Sequence, residues 1–255
     1  MTMAINYNPT ELLICMASRL IEDNTTAFVG TGIPMLAVMV AQRRHAPGLI
    51  PIFEFGGTGA ILETLPRQVG DRHTYHQAIS ASWMADIMET AQRGCIEYGF
   101  LGGAQIDPYG NLNSTVIGPH AKPKVRLPGS GGANDVGSLC WRTIAIMRHG
   151  RQRFVPKCDF VTTPGYLDGP GARERVGLPA GTGPYRVVSD LGIMDYEPGS
   201  LRMRLVATSP GITAKKVLDE TGFELLLAPS IEQIQPPEKD ELLILREIDK
   251  DKLYI

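Results

Sequence analysis

The run Leu49-Ile-Pro-Ile-Phe-Glu54-Phe-Gly-Gly-Thr-Gly-Ala60 ends an apolar stretch on one carboxylate and turns at once into glycine. Residues 49–53 have the length and composition of a buried strand. A Glu at the end of such a strand is costly to bury in its ionised form, because the carboxylate loses hydration. Gly56 and Gly57 carry no Cβ, so their backbone N–H groups can come close to a small ligand. In open α/β sheets, ligands sit beyond the carboxyl ends of the strands, which is where Glu54 falls. A partly dehydrated carboxylate facing exposed amides can act as a nucleophile or a general base. It can equally cap a following helix or pair with an arginine, and local sequence leaves both roles open.

Two further loops concentrate groups that could hold a substrate. Gly102-Gly-Ala-Gln105-Ile-Asp107-Pro-Tyr-Gly110-Asn111-Leu-Asn113 combines glycines with amide side chains. Gln105, Asn111 and Asn113 could orient a carboxylate or a thioester oxygen, or build the turn through their own backbone bonds. We read Asn111, directly after Gly110, as turn-building; Gln105 and Asn113 fit either role. Gly129-Ser130-Gly131-Gly132-Ala133-Asn134 resembles a nest of backbone N–H groups able to hold an oxyanion or phosphate. It lacks the Gly-Lys-Ser/Thr of a triphosphate loop. Gly30-Thr31-Gly32 is a strand–turn–helix junction but not a dinucleotide fingerprint, since Met35 stands at the third glycine position. His73 and His76 are expected as surface residues of a polar loop. Arg173 and Arg175, in the loop from Pro164, could take an anion but read better as Asp–Arg staples.

The elements that position these loops follow from periodicity and punctuation. Asn8-Pro9-Thr10-Glu11 is a helix start, and apolar spacing carries that helix to about residue 22. Strands are expected at 27–29, 49–53, 98–101, 143–147 and 157–163, with helices at 34–44, 80–93 and 213–222. Trp83, Met84, Ile87 and Met88 should share the buried face of the 80–93 helix. His149, Arg151 and Arg153 are expected in a solvated hairpin connection. Residues 186–207 should form an antiparallel hairpin at a sheet edge. The last thirty residues, charged and broken by proline, should pack across the surface. Alternation of strand and helix predicts an α/β fold: a three-layer, mostly parallel open sheet with helices on both faces and an antiparallel edge, in one domain spanning 1–255.

Composition excludes several classes of function. A net charge of −2 gives no reason to expect nucleic acid or an anionic membrane as partner. Four cysteines lie far apart, without C-x-x-C pairs or histidines at ligand spacing, which argues against zinc and fits reduced thiols in the cytoplasm. No leader-like segment and no apolar run of spanning length is evident.

Taken together, the segments 102–113, 129–134 and Thr163-Pro-Gly-Tyr-Leu-Asp-Gly-Pro-Gly-Ala-Arg-Glu174 resemble the beta subunit of family I coenzyme A transferases, most nearly the glutaconate coenzyme A-transferase beta type. The likeness spans nearly the whole chain. It implies that Glu54 is the catalytic carboxylate, with Gly56, Gly57, Gln105, Asn113, Gly131 and Gly132 lining the oxyanion and CoA site. It further implies transfer of CoA between an acyl-CoA and a small (di)carboxylic acid through a glutamyl-CoA thioester. No metal or other cofactor is then needed, CoA itself being substrate. A separate alpha subunit is expected, in an α2β2 assembly. Relatives on this scaffold also act as acyl-CoA hydrolases, ring-opening C–C hydrolases or decarboxylases, and a non-catalytic acyl-CoA-binding subunit is a further alternative. The turn Phe55-Gly-Gly-Thr-Gly59 departs from the glutaconate type, so acid specificity is left open.

Overall fold

The computed structural model describes residues 6–255, whose contacts gather into two compact units: residues up to 100 with 235–255, and residues 101–234. In the first unit, α1 (Pro9–Ser18) leads to β1 (Thr26–Phe28), α2 (Ile33–Arg44) and β2 (Ile50–Ile52). Then follow β3 (Gly57–Thr58), a 3-10 turn at Arg72–Tyr75, β4 (Ser80–Ala81), α3 (Met84–Gln92) and β5 (Tyr98–Leu101). The second unit opens with two small hairpins, β6 (Gln105–Ile106) with β7 (Leu112–Asn113) and β8 (Val116–Ile117) with β9 (Val125–Arg126). It continues through α4 (Ala133–Leu139), β10 (Arg142–Ile146), α5 (Ala172–Arg175), β11 (Gly183–Ser189), β12 (Gly192–Tyr196), β13 (Met203–Thr208), α6 (Ala214–Asp219) and β14 (Leu226–Gln233). The chain returns to the first unit as α7 (Lys239–Ile248).

The fold is of the α/β class expected. In the first unit the strand order is β5-β1-β2-β3-β4, with β1 parallel to both neighbours and β3 and β4 turning antiparallel. In the second it is β10-β11-β12-β13-β14, with parallel pairs at each end and an antiparallel meander between. The hairpins expected across 186–207 are therefore present, but β14 lies outside them as the edge.

Local chemistry accounts for the helices. The Asn8 side chain accepts from the backbone of Thr10 (2.8 Å) and Glu11 (2.9 Å), and Glu11 Oε2 accepts from Asn8 N (2.8 Å), closing the capping box. Every residue of α2 from Met35 to Ala41 is buried, because α1 and α7 pack against it. That packing corrects the surface position expected for the C-terminal residues. Leu242, Leu245 and Ile248 recur at helical spacing and are buried, a pattern obscured by the charged residues between them.

Other expectations are corrected too. The helix expected at 80–93 begins only at Met84, since Ser80–Ala81 pairs with β3; Trp83 is 81% exposed and Met84 41%. The strand expected at 157–163 is irregular. Only an isolated antiparallel bridge from Thr163 to Leu112 of β7 joins it to a strand, and its other polar groups bond to side chains and loops. Asp159 Oδ2 accepts from Gln105 Nε2 (3.1 Å) and Gly118 N (2.9 Å), and Thr162 Oγ1 accepts from Ser114 N (2.9 Å).

His149 is not in a solvated connection. Its ring stacks on Phe154 at 3.8 Å between centroids, with Ser189 Oγ 3.0 Å from Nδ1 and Thr221 Oγ1 3.0 Å from Nε2. Burial pushes its pKa down to about 4. The unfolded chain, with an ordinary histidine pKa of 6.5, takes up a proton that the folded chain refuses until about pH 4. Stability should therefore fall by about 3 kcal/mol as pH drops from about 7 to 4. Urea midpoints measured across that range, with His149→Gln flattening the decline, check the assignment.

Candidate active site

Glu54 occupies the corner joining β2 to β3. Phe53 N donates to Gly57 O (2.8 Å) and Gly56 N to Phe53 O (2.9 Å), so residues 53–57 close on themselves as a tight turn. Because β1 and β2 are parallel, with Val29 N bonded to Ile52 O (3.0 Å), the Glu54 turn and the Gly30–Gly32 turn leave the same end of adjacent strands. Phe53 is fully buried, Phe55 is 45% exposed, and Glu54 lies between them half-buried. Among the described residues its carboxylate has no hydrogen-bond or ion-pair partner. Neither of the structural roles left open by the sequence, a helix cap or an arginine pair, is taken up.

The glycines beside Glu54 serve a purpose other than the one expected. A Cβ at Gly56 would lie 1.9 Å from Ser82 O, and one at Gly57 would lie 2.0 Å from Thr74 O. Glycine is required there so that residues 74 and 82 can rest on the turn. The Gly56 amide is already bonded to Phe53 O, so the oxyanion role expected of it is unavailable while the turn stands. His73 Nδ1 meets Asp71 Oδ1 (2.7 Å), and His76 Nε2 lies 3.6 Å from Glu63. Both histidines are thus engaged with local carboxylates.

In the second unit, Gln105 and Asn113 come together but face each other. Asn113 Nδ2 donates to Gln105 Oε1 (2.7 Å) and Val116 O (2.6 Å), while its Oδ1 accepts from Thr115 N (3.0 Å) and Val116 N (3.3 Å). Gln105 Nε2 donates to Asp159. Both side chains are buried, and their donors already have acceptors within the loops. This corrects their expected place as substrate donors, because offering an amide to a thioester would leave a buried acceptor unpaired. Asn111 builds the turn as expected, donating to Asp107 Oδ2 and Leu167 O (2.8 Å each) and accepting from Gly165 N (2.8 Å).

Arg173 is buried without a carboxylate partner. It donates to the carbonyls of Pro164, Gly165, Gly137 and Ser138 and to Thr182 Oγ1 (2.8 Å). It is a staple, but one made to backbone rather than to aspartate. The Arg175–Asp168 pair (3.2 Å) is exposed.

The loop at 129–132 differs in kind from the Glu54 glycines. Gly129 and Gly131 have φ of +99° and +49°, conformations that favour glycine, and a Cβ at either would meet nothing within 4 Å. The loop is anchored at its ends, by Gly129 N to Ser114 O (2.8 Å) and Ala133 N to Ser130 O (3.0 Å). Between these anchors the amides of Gly131 and Gly132 have no acceptor among the described residues. Two neighbouring N–H groups are thus unspent within the loop, an arrangement suited to an oxyanion.

No thiol competes with Glu54 as a nucleophile from the interior. Burial pushes Cys15 and Cys140 up to about 12 and Cys158 higher still, so all three stay protonated. Among the described residues no three His, Cys, Asp or Glu side chains gather as a metal site, and no helix is long and apolar enough to cross a membrane.

This α/β scaffold, with a carboxylate at a strand end and an open glycine loop, matches the coenzyme A transferase family over residues 10–220, and the chain belongs to that family. Within it the chain is of the beta type, as its relatives indicate. It is 39% identical over 257 residues to the B subunit of glutaconate CoA-transferase from Acidaminococcus fermentans, covering 98% of this chain and 96% of that one. It is 35% identical over 244 residues to the B subunit of 3-oxoadipate CoA-transferase from Pseudomonas knackmussii, covering 95% and 94%. The crystal structure of the A. fermentans glutaconate coenzyme A-transferase superposes with a TM-score of 0.93 at 36% identity, covering 98% of each chain.

Sequence reasoning missed the segment that braces the Glu54 turn. Tyr75 donates its phenolic hydrogen bond to Phe55 O, and Ser82 N donates to Gly56 O (3.1 Å). These residues lie in a stretch with mixed local signals, and only the consecutive glycines at 56–57 hinted that something packs against that turn.

Proposed function

We propose that this chain carries the nucleophile of a two-subunit CoA-transferase, and that Glu54 is that nucleophile. The observation that carries the reading is the half-buried Glu54 carboxylate, beyond the end of a strand and without a partner among the described residues. One Glu54 oxygen attacks the thioester carbonyl of an acyl-CoA, giving a mixed anhydride and CoA thiolate. The thiolate attacks the glutamyl carbonyl and expels the donor acid, leaving glutamyl-CoA. An acceptor carboxylate attacks that thioester, releases the thiolate and forms a second anhydride. The thiolate then takes the new acyl group and restores Glu54.

Carboxylates are weak nucleophiles in water, so proximity and partial dehydration supply much of the acceleration. A well-placed backbone amide at the developing oxyanion contributes roughly 3 kcal/mol. No metal or redox cofactor enters these steps. The relatives named for glutaconate and 3-oxoadipate support a small (di)carboxylic acid as acceptor. Their naming as one of two kinds of subunit supports a separate alpha subunit, which we place in an α2β2 assembly in the cytoplasm.

The test is to trap the intermediate. The co-expressed complex, incubated with acetyl-CoA and then hydroxylamine or borohydride, should carry a modification that peptide mass spectrometry locates at Glu54. CoA released at full rate with no label at Glu54 would defeat the mechanism in favour of hydrolysis.

A further inference from the structure

We propose that Tyr75 is a positioning residue for the Glu54 nucleophile, its phenol bracing the Phe55–Gly56 peptide and, through it, the backbone from which Glu54 springs. The inference rests on the reading of Glu54 as nucleophile. A glutamate side chain has three rotatable bonds, and this one is fixed by no hydrogen bond or ion pair among the described residues. What the fold fixes is therefore the backbone from which it springs, which sets the direction of its Cα–Cβ bond. The turn bond from Gly56 N to Phe53 O holds one edge of the Phe55–Gly56 peptide, and Phe55 O is the carbonyl of that same planar unit. Tyr75 is the one donor to the Phe55 carbonyl among the described residues.

The brace is itself held rigidly. Tyr75 ends the 3-10 turn Arg72–Tyr75, whose start is capped by Asp71 accepting from His73 N (3.1 Å) and Arg67 N (3.2 Å). The preceding residue, Thr74, is fully buried, donates from Oγ1 to Asp71 O (2.6 Å) and lays its carbonyl against Gly57. Farther along, Ile61 N to His76 O (3.0 Å) and Ile79 N to Thr58 O (2.9 Å) tie the segment to residues on either side of Gly59. A hydroxyl presented from so fixed a base restrains its acceptor, and a displacement of about 1 Å at a reacting group can cost on the order of a hundredfold in rate.

The test uses the assembled two-subunit enzyme with acetyl-CoA as donor and glutaconate or 3-oxoadipate as acceptor. Tyr75→Phe keeps the ring and removes only the donor. It should lower kcat by about tenfold to a hundredfold, and the single-turnover rate of glutamyl-CoA formation by the same factor. KM for either substrate should stay within about twofold and the unfolding temperature within about 2 °C of wild type, since one partly exposed hydrogen bond is involved. An unchanged kcat, an effect confined to KM, or a loss that tracks lost folded complex would each overturn the proposal. So would a Tyr75→Leu variant that is slow beside a Tyr75→Phe variant that is not, since the ring alone would then matter. Wild type run in parallel separates the two ideas. If it transfers CoA without labelling Glu54, the nucleophile assignment fails; if it labels Glu54 and Tyr75→Phe labels as fast, only the positioning role fails.

Discussion

Glu54→Ala in the assembled transferase should slow CoA transfer by on the order of 10,000-fold, the scale on which enzymes lose rate when a covalent nucleophile is removed. The effect should fall on kcat and on formation of glutamyl-CoA together, because no adduct can form without the carboxylate. Glu54→Gln is the sharper replacement: it keeps the shape, and among the described residues the side chain it replaces makes no bond that the amide could break. Its unfolding temperature should match wild type while transfer is lost. Glu54→Asp keeps the nucleophile but withdraws it by about 1 Å, which should cost about a hundredfold. Steady-state transfer rates for the three variants, normalised to folded complex, decide the matter. If Glu54→Gln keeps more than about a tenth of wild-type rate, another group carries the acyl unit and the covalent scheme collapses.

That Glu54 could be singled out from sequence at all reflects a physical conflict visible in one dimension. A charge next to a buried run is expensive, and a chain keeps such a charge for a reason. The open loop at 129–132 was legible on similar grounds, since clustered glycines announce backbone that must bend or be approached. What glycine alone cannot say is which of those two it does. At Gly56 and Gly57 the approaching backbone is the protein's own, whereas at Gly129 and Gly131 the space is open. Gln105 and Asn113 were ambiguous for a related reason: an amide looks the same in sequence whether its donors face a ligand or each other. The parallel strands, the Asn8 cap and the small helix after Thr213 were readable because each depends on neighbours along the chain. The position of α7 was not, because it depends on partners about two hundred residues away.

Those distant partners make Glu241→Ala the substitution with the largest expected effect on stability. Glu241 is 1% exposed, against 24% for Arg19 and 21% for Arg44. Its carboxylate accepts from Arg19 Nε (2.7 Å) and Nη2 (2.6 Å), from Arg44 Nη1 (2.9 Å), and from Glu238 N (2.7 Å). One buried group therefore ties α7 to the end of α1, to the end of α2 and to its own first turn. Removing it takes a buried carboxylate from both guanidinium groups, leaving Arg19 its bonds to Gln235 O and Pro236 O and Arg44 its pairs with Glu238 and Asp240, and breaks the Glu241 half of the capping box. Loss of one partner from a buried ion pair costs about 3–5 kcal/mol; because both arginines retain some contact with water, we expect about 3 kcal/mol. For a chain of this length that corresponds to a fall of about 6–12 °C in unfolding temperature. The surface arm of the same cluster offers the control. Asp240, 56% exposed and 2.9 Å from Arg44, should cost less than about 1 kcal/mol when replaced by Asn. Chemical denaturation of both variants measures the contrast. Equal small losses would show that α7 is held by Leu242, Leu245 and Ile248 alone, and that the charges merely decorate the seam.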